Sequence, residues 1–416
     1  MKDTGDTDRR TFLKRAGAFT GFLGVGSVLK YNTQFFLLRR APTEADTPQA
    51  SWAGSTVQSY RPLGRTGWKM SDISFGAGGL RDPDVVRAAL DRGINYIDTS
   101  PDYSDSLSEK SVGEAVKGRR DKVFIASKFC TPDGHLDEDT PVDKIIEAVD
   151  ASLARLQTDY VDLIHIHACN DVDRLMAPTF HEAFDRLKEQ GKARFMGVSS
   201  HTPELEKVMS RAVDSGRFDV IMVAYNFKNW PDLSGIMDRA AANGVGFVAM
   251  KTLKGAHHTV LQDFEPDERN SFTQAAFKWV NNNPNVAGLV VTITSPAQLD
   301  EYLFASGKKA DPADLALLEK YDALVSSDYC RPGCGECLDA CPHDVPIDDI
   351  LRYSMYFDSY GAEREAIVQY GRMAKRLGHG AEVCVGCAAP CENACPFEIP
   401  IRKKLTRADS LLRLRV

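Results

Sequence analysis

Gly93-Ile94-Asn95-Tyr96-Ile97-Asp98-Thr99-Ser100-Pro101-Asp102-Tyr103 carries a short apolar run that ends in an acid and is then broken by proline. Such a run reads as a buried strand. Helical patterns flank it, at 83–92 before and 108–117 after. A strand set between helices is the repeating unit of a parallel sheet.

The same alternation extends from Tyr60 to about Ser327. Further strand patterns rich in β-branched residues lie at 73–75, 122–128, 161–167, 194–199, 220–225, 246–250 and 288–293. Helical patterns follow at 142–156, 178–190, 203–215, 233–243, 268–281 and 296–304. Eight strands, each followed by a helix, predict an α/β fold, a closed (β/α)8 TIM barrel over 60–327. Arg61-Pro62-Leu63-Gly64-Arg65-Thr66-Gly67 has the turn chemistry of a hairpin that plugs the barrel bottom. In these barrels chemistry sits at the C-terminal strand ends. Asp98, Tyr103, Lys128 and His167 fall there, and Leu163, His165, His167 and Cys169 share one face by period two.

At these residues the barrel resembles the aldo/keto reductase family over its whole length. The stretch from Gly93 to Tyr103, Ala126-Ser127-Lys128 and Asp162-Leu163-Ile164-His165-Ile166-His167 sit where that family keeps its catalytic tetrad. The resemblance implies interconversion of a small carbonyl and an alcohol, with Tyr103 as general acid/base. Free tyrosine holds its proton with a pKa of about 10. A neighbouring Lys128 ammonium is expected to lower it, Asp98 to hold Lys128, and His167 to orient the carbonyl. The plainer alternative is a buried Asp–Lys pair that only stabilises the barrel. His165, one layer deeper, reads as structural.

For a cofactor the resemblance gives Ser199-Ser200 in place of the family's Ser-Asn pair, and Met222 and Met250 in place of its Gln and stacking Tyr. Its Lys and Arg for a 2′-phosphate align with Thr292 and Gln298, and its Asn with Tyr302. Two charge-assisted contacts, each about 1.5–3 kcal/mol, are therefore missing. Ser199, Ser200, Thr292, Thr294 and Ser295 remain as neutral donors near the expected phosphate, which weakens the case for NAD(P)H.

Two cysteine runs follow the barrel: Cys330-x3-Cys334-x2-Cys337-x3-Cys341-Pro342 and Cys384-x2-Cys387-x3-Cys391-x3-Cys395-Pro396. They resemble the ligation pattern of bacterial ferredoxins, which implies two [4Fe–4S] clusters, each Cys-Pro cysteine serving the other cluster. Each run carries one residue more than the tighter ferredoxin form, before Cys334 and before Cys391, so a one-cluster module is the rival. Disulfide frameworks staple small domains without a core, and zinc knuckles space their cysteines differently. Between the runs, Ile347, Ile350, Leu351 and Met355, then Ile367, Tyr370, Met373 and Leu377, recur at helical spacing. A helical ferredoxin-like iron–sulfur domain over 328–416 is expected, with these Met and Tyr residues in its core. Cys130 and Cys169 stand apart, as packed thiols or as a disulfide across the barrel mouth.

Arg9-Arg10-Thr11-Phe12-Leu13-Lys14 precedes a weakly apolar, Gly-rich stretch at 16–29 and resembles a twin-arginine export signal within 1–40. A linker rich in Pro, Ser, Thr and Ala follows at 41–59. The resemblance implies export of a folded, cluster-loaded protein to the periplasm or cell envelope. The apolar stretch is short for a membrane span. No clean cleavage site precedes Trp52, which leaves an uncleaved N-terminal membrane anchor as an option. With 416 residues, 43% hydrophobic, 26% charged and a net charge of −7, the chain is an ordinary globular protein without the basic stripe of a nucleic-acid binder. Clusters move single electrons and nicotinamides move hydride, so a flavin, a substrate radical or a tightly held nicotinamide has to convert between them, and a redox partner protein is expected as well. The competing function is an electron-transfer or binding subunit whose barrel no longer turns over substrate.

Overall fold

The computed structural model describes residues 49–228, 232–253 and 271–414. The expected export segment, the linker up to residue 48 and the first residues of the 268–281 helix lie outside these. Eight parallel strands close into a barrel: β1 Ile73–Gly76, β2 Tyr96–Asp98, β3 Phe124–Lys128, β4 Val161–Ile166, β5 Ala193–Ser200, β6 Val220–Ala224, β7 Gly246–Met250 and β8 Val286–Thr292. Thr292 of β8 pairs with Gly76 of β1 and completes the ring. The predicted barrel is therefore present, with its strands in sequence order. Strand β2 begins two residues later than its apolar run. Gly93, at φ 96°, turns the chain sharply, and the Ile94 N–H bonds back to Ala89 O at 3.1 Å, so sheet pairing starts at Tyr96.

Period two divides the strand residues between two cores. Ile73, Phe75, Ile97, Ile125, Ile164 and Ile166 point outwards into the layer under the helices. Tyr96, Phe124, Ala126, Leu163, Val220, Met222 and Val248 fill the barrel interior. Burying each large apolar side chain contributes about 1.5–3 kcal/mol, and this double burial is why the strands read as continuous apolar runs. The helices that cover the sheet are α1 Pro83–Asp91, α2 Leu107–Ala115, α3 Val142–Leu156, α4 Pro178–Glu189, α5 Leu205–Asp214, α6 Ser234–Ala242, α7 Phe272–Asn282 and α8 Pro296–Leu303. Asp82 caps α1 by accepting from Asp84 N, and Ser271 with Gln274 forms a capping box on α7.

The bottom of the barrel is closed as expected. Tyr60–Pro62 pairs antiparallel with Lys69–Ser71, and Leu63 and Met70 from this hairpin join the interior core. Aromatic layers stack above them, Tyr96 on Phe124 at 5.3 Å and Phe124 on Phe195 at 6.2 Å. His165 is fully buried in the next layer, as its reading as a structural residue requires. It fits because β5 has a glycine opposite: a Cβ on Gly197 would stand 2.5 Å from His165 Nδ1.

Past the barrel, α9 Pro312–Val325 is tied to α7 by a buried ion pair, Lys278 Nζ to Asp314 at 3.1 Å. The chain then forms α10 Ile347–Ser359, α11 Glu363–Leu377 and α12 Ile401–Leu412, besides single-turn pieces. Two helices thus occupy the segment between the cysteine runs. Ile347, Ile350, Tyr370 and Met373 face a separate apolar core that also takes in Cys384, Cys391 and Cys395. Among the described residues no helix is long and apolar enough to cross a membrane.

Candidate active site

Parallel pairing delivers the chemical groups to one end of the barrel. Asp98 is the last residue of β2 and Lys128 the last of β3, while His167 follows β4 directly. Lys128 Nζ lies 2.8 Å from both carboxylate oxygens of Asp98 and 2.8 Å from Thr99 O. All three ammonium protons are therefore used, although Lys128 is almost fully buried. Tyr103 completes the group: its ring centroid is 4.7 Å from Lys128 Nζ and 5.9 Å from the His167 ring. The loop that carries Tyr103 continues through three left-handed residues, Ser104, Asp105 and Ser106. Ser106 Oγ donates to Pro101 O at 2.8 Å and Ser104 Oγ to Gly78 O at 3.2 Å, and these bonds hold the turn.

The electrostatics differ from the expectation at Tyr103. Burial pushes its phenol well above 10.0, and the negative charges of Asp98, Asp102 and Glu365 push it further. The ammonium of Lys128 is committed to Asp98, so the pair presents little net positive charge to the ring. Tyr103 is therefore a protonated phenol at neutral pH, a proton donor rather than a poised phenolate. Burial also drives His167 well below its ordinary value, helped by His135, Lys128 and Arg174, so its ring is neutral. Burial raises the Asp98 carboxyl, and Lys128 opposes that rise.

Several groups at this mouth escaped the sequence reading. His135 lies on a two-strand hairpin of Cys130–Thr131 and Gly134–His135, with its ring 4.2 Å from that of His167. From the C-terminal helices, Tyr356 Oη accepts from Lys251 Nζ at 3.0 Å, and burial with Arg352 nearby pushes Lys251 down to about 7. Exposed ion pairs from Arg364 to Asp105 and from Arg372 to Asp133 add to this contact. A cavity of about 300 Å³ lies between barrel and C-terminal helices, lined by His201, Lys251, Cys330, Arg331, Cys334 and Arg352 among others.

Residues 81–272 match the aldo/keto reductase family. The chain is 33% identical over 288 residues to L-galactose dehydrogenase of Arabidopsis thaliana, covering 60% of this chain and 88% of that protein. The chain belongs to the aldo/keto reductase family. Methylglyoxal reductase DkgB of Yersinia pestis is 27% identical over 277 residues, 63% of this chain and 99% of its own. An aldo-keto reductase from Bacillus halodurans in its holo form shares the fold with a TM-score of 0.52 at 24% identity, covering 63% of this chain and 95% of that one. These relatives make the chain an oxidoreductase.

In this aldo/keto reductase the expected cofactor hydroxyls have local partners. Ser199 Oγ accepts from Ala168 N at 3.0 Å, and Ser200 Oγ is 3.2 Å from Thr202 Oγ1. Ser295 caps α8, and Gln298 Oε1 accepts from Thr294 N at 2.7 Å, while Thr292 is exposed. Met222 is buried in the barrel interior and Met250 packs at its edge. Positions 292 and 298 thus offer neutral groups to a dinucleotide and no charge to a 2′-phosphate. All ten cysteines are free thiols, so Cys130 and Cys169 form no disulfide. Cys130 Sγ meets His167 Nδ1 at 3.1 Å, and Cys169 Sγ donates to Asp171 O at 3.3 Å.

The eight C-terminal thiols fall into two groups. Cys337 is pushed up to about 12 by burial and by Cys330, Cys395, Cys334 and Cys391 around it. Burial raises Cys334, and Cys395 is again a neighbour. Cys384 is pushed up to about 11 by burial and by Cys341, Cys391 and Cys387. Cys395 thus acts on Cys334 and Cys337, and Cys341 acts on Cys384 and Cys391, while Cys391 also reaches Cys337.

The state of Tyr103 can be read by titration. Subtracting the tyrosinate absorbance of Tyr103→Phe from that of the intact protein is expected to leave no signal below pH 10, since a raised pKa keeps the phenol protonated there. A one-tyrosine step near neutral pH would restore the poised phenolate.

Proposed function

We propose that this oxidoreductase interconverts a small carbonyl compound and an alcohol, that its C-terminal module holds two [4Fe–4S] clusters, and that it works after folded export to the periplasm or cell envelope. The observation that carries the catalytic part is the Asp98–Lys128 pair set beneath Tyr103, with neutral His167 beside it. Support for the clusters comes from the donor set. Cys330, Cys334, Cys337 and Cys395 would hold one, and Cys341, Cys384, Cys387 and Cys391 the other. Crowded buried thiols resist ionisation, and iron is the kind of partner that makes thiolates stable in such a place.

When bound, a nicotinamide supplies hydride and the clusters supply single electrons. The chain's own residues handle the oxygen and its proton. His167 hydrogen-bonds the carbonyl oxygen and fixes its direction. Tyr103 gives its phenolic proton to that oxygen as the carbon is reduced. The Lys128 ammonium then faces a phenolate, while Asp98 keeps it charged and in place. Alcohol oxidation runs the same transfer backwards and needs Tyr103 first deprotonated. A second reading, an electron-transfer subunit with a silent barrel, draws on the way Tyr356 and Arg352 crowd the mouth.

Tyr103→Phe separates the two readings, because it deletes one hydroxyl and little volume. Carbonyl reduction is expected to fall ~10²–10⁴-fold, the range for loss of a general acid, with iron content unchanged. Activity within a few-fold of the parent on any accepted carbonyl would favour the silent barrel.

The wiring is tested by Cys395→Ser. Mössbauer and EPR spectra of the anaerobic variant are expected to show damage to the cluster of Cys330, Cys334 and Cys337, some sixty residues upstream in sequence. A defect limited to the cluster of Cys384, Cys387 and Cys391 would mean that each run serves itself.

Export is tested by changing Arg9→Lys together with Arg10→Lys. The guanidinium pair is not replaceable by ammonium charge alone, so the protein is expected to stay in the cytoplasm. An unchanged periplasmic yield in fractionated cells would remove the export claim.

A further inference from the structure

We propose that the barrel mouth holds one divalent transition-metal ion, of the zinc type, between Asp102, Cys130, His135 and His167. One ligand atom from each residue lies within 4.8 Å of all the others. Cys130 Sγ is 3.1 Å from His167 Nδ1. Asp102 Oδ2 is 3.8 Å from His167 Nδ1 and 3.7 Å from His135 Nε2. Ligands bound tetrahedrally at ~2.0–2.3 Å stand about 3.3–3.8 Å from one another. These three separations lie close to that edge length and the other three stay within 4.8 Å, so an ion enters once the side chains draw inwards. Two imidazoles, a thiolate and a carboxylate are donors that zinc accepts, whereas magnesium and calcium take oxygen shells.

Three separate pieces of backbone build the site. Cys130 and His135 are cross-strand partners on their small hairpin. His167 follows β4, and Asp102 belongs to the loop after β2. Cys130 and His167 are buried, whereas the His135 side chain is 39% exposed and gives an ion a way in.

A second observation points to a cation. The Asp102 side chain is only 10% exposed, yet no lysine or arginine lies within 4 Å of its carboxylate among the described residues. Its close partners are the Ser100 hydroxyl and the two histidines. A carboxylate out of water ordinarily needs positive charge beside it. Lys128 is occupied by Asp98, and Arg174 is turned to the carbonyls of His167 and Leu136. A divalent ion supplies the missing charge as Cys130 loses its thiol proton to solvent. On the catalytic reading above, an ion on Nδ1 also fixes His167 with its proton on Nε2, the tautomer that donates to a substrate oxygen.

The site is tested on full-length protein purified anaerobically, with Zn²⁺ as the probe and iron measured in parallel. One zinc per chain is expected to survive competition with a chromophoric chelator. Its X-ray absorption edge should report a four-ligand shell with one sulfur and three lighter atoms. His135→Ala and Cys130→Ser should each weaken zinc binding more than the ~10–100-fold typical of losing a mere outer partner. Iron content and the far-UV circular dichroism of the folded protein should stay at parent levels, while the unfolding midpoint falls with the lost zinc. Parent protein without tightly held zinc would overturn the proposal, and so would an all-sulfur shell, which would put the ion on the C-terminal cysteines. Zinc bound equally well by both variants would do the same. None of these readouts depends on turnover, so the site can fail while the catalytic reading stands.

Discussion

A buried ammonium set against a buried carboxylate governs the barrel mouth. Lys128 and Asp98 sit on neighbouring strands, and the register that pairs Asp98 with Ala126 puts Lys128 two residues further along on the same face, within reach of the Asp98 carboxylate. Removing either partner would leave an uncompensated charge in an apolar shell, at a cost of about 3–5 kcal/mol. The pair therefore constrains two strand ends at once, and it also determines what the neighbouring groups feel. Because Lys128 is neutralised by Asp98 and by Thr99 O, Tyr103 is dominated by desolvation and by the surrounding carboxylates. The mouth works as a site of neutral donors, Tyr103 and His167, set over a fixed dipole.

The C-terminal helices change that site from an open barrel end into a covered one. Tyr356 meets Lys251 just past β7, and Arg352 lines the cavity between them and Cys330. Tyr356 and Glu365 of these helices add to the charges that raise Tyr103 beyond the effect of burial. Ionisation at the mouth is thus partly a property of the cover. The same contact brings the thiols of Cys330 and Cys334 to the wall of a cavity that also reaches His201 and Lys251.

The fold was legible because its signal is repetitive. Eight β-branched runs alternating with amphipathic helices leave few architectures, and outward Ile164 with inward Leu163 follow from period two alone. The tetrad residues were legible because they stand at strand ends, where a barrel gathers side chains. That Cys395 acts on thiols of the first run and Cys341 on thiols of the second agrees with Pro342 and Pro396 turning each chain away from its own loop. The protonation of Tyr103 was not legible. It depends on Asp102, Tyr356 and Glu365, and no spacing rule places the last two beside a barrel whose final strand they follow by some sixty to seventy residues. His135 was missed for a related reason. A six-residue hairpin carries no periodicity, and the pairing of His135 with Cys130 appears only in three dimensions.

The thiols raise a question of order in assembly. Cys384, Cys391 and Cys395 are packed with Ile347, Ile350, Tyr370 and Leu405 in one apolar core. Burial and mutual crowding hold the Cys337 and Cys384 thiols above their ordinary range, so they are neutral and behave as small apolar groups. The helical core can therefore form around protonated cysteines without burying charge. On the proposed cluster reading, loading metal would exchange protons for iron inside a scaffold that is already folded, and that exchange would favour higher pH. Because α10 belongs both to this core and to the cover over Lys251, stabilising the core also stabilises the closed barrel mouth. Two helices link the module to the barrel: α10 through Tyr356 on Lys251, and α11 through Arg364 on Asp105 and Arg372 on Asp133.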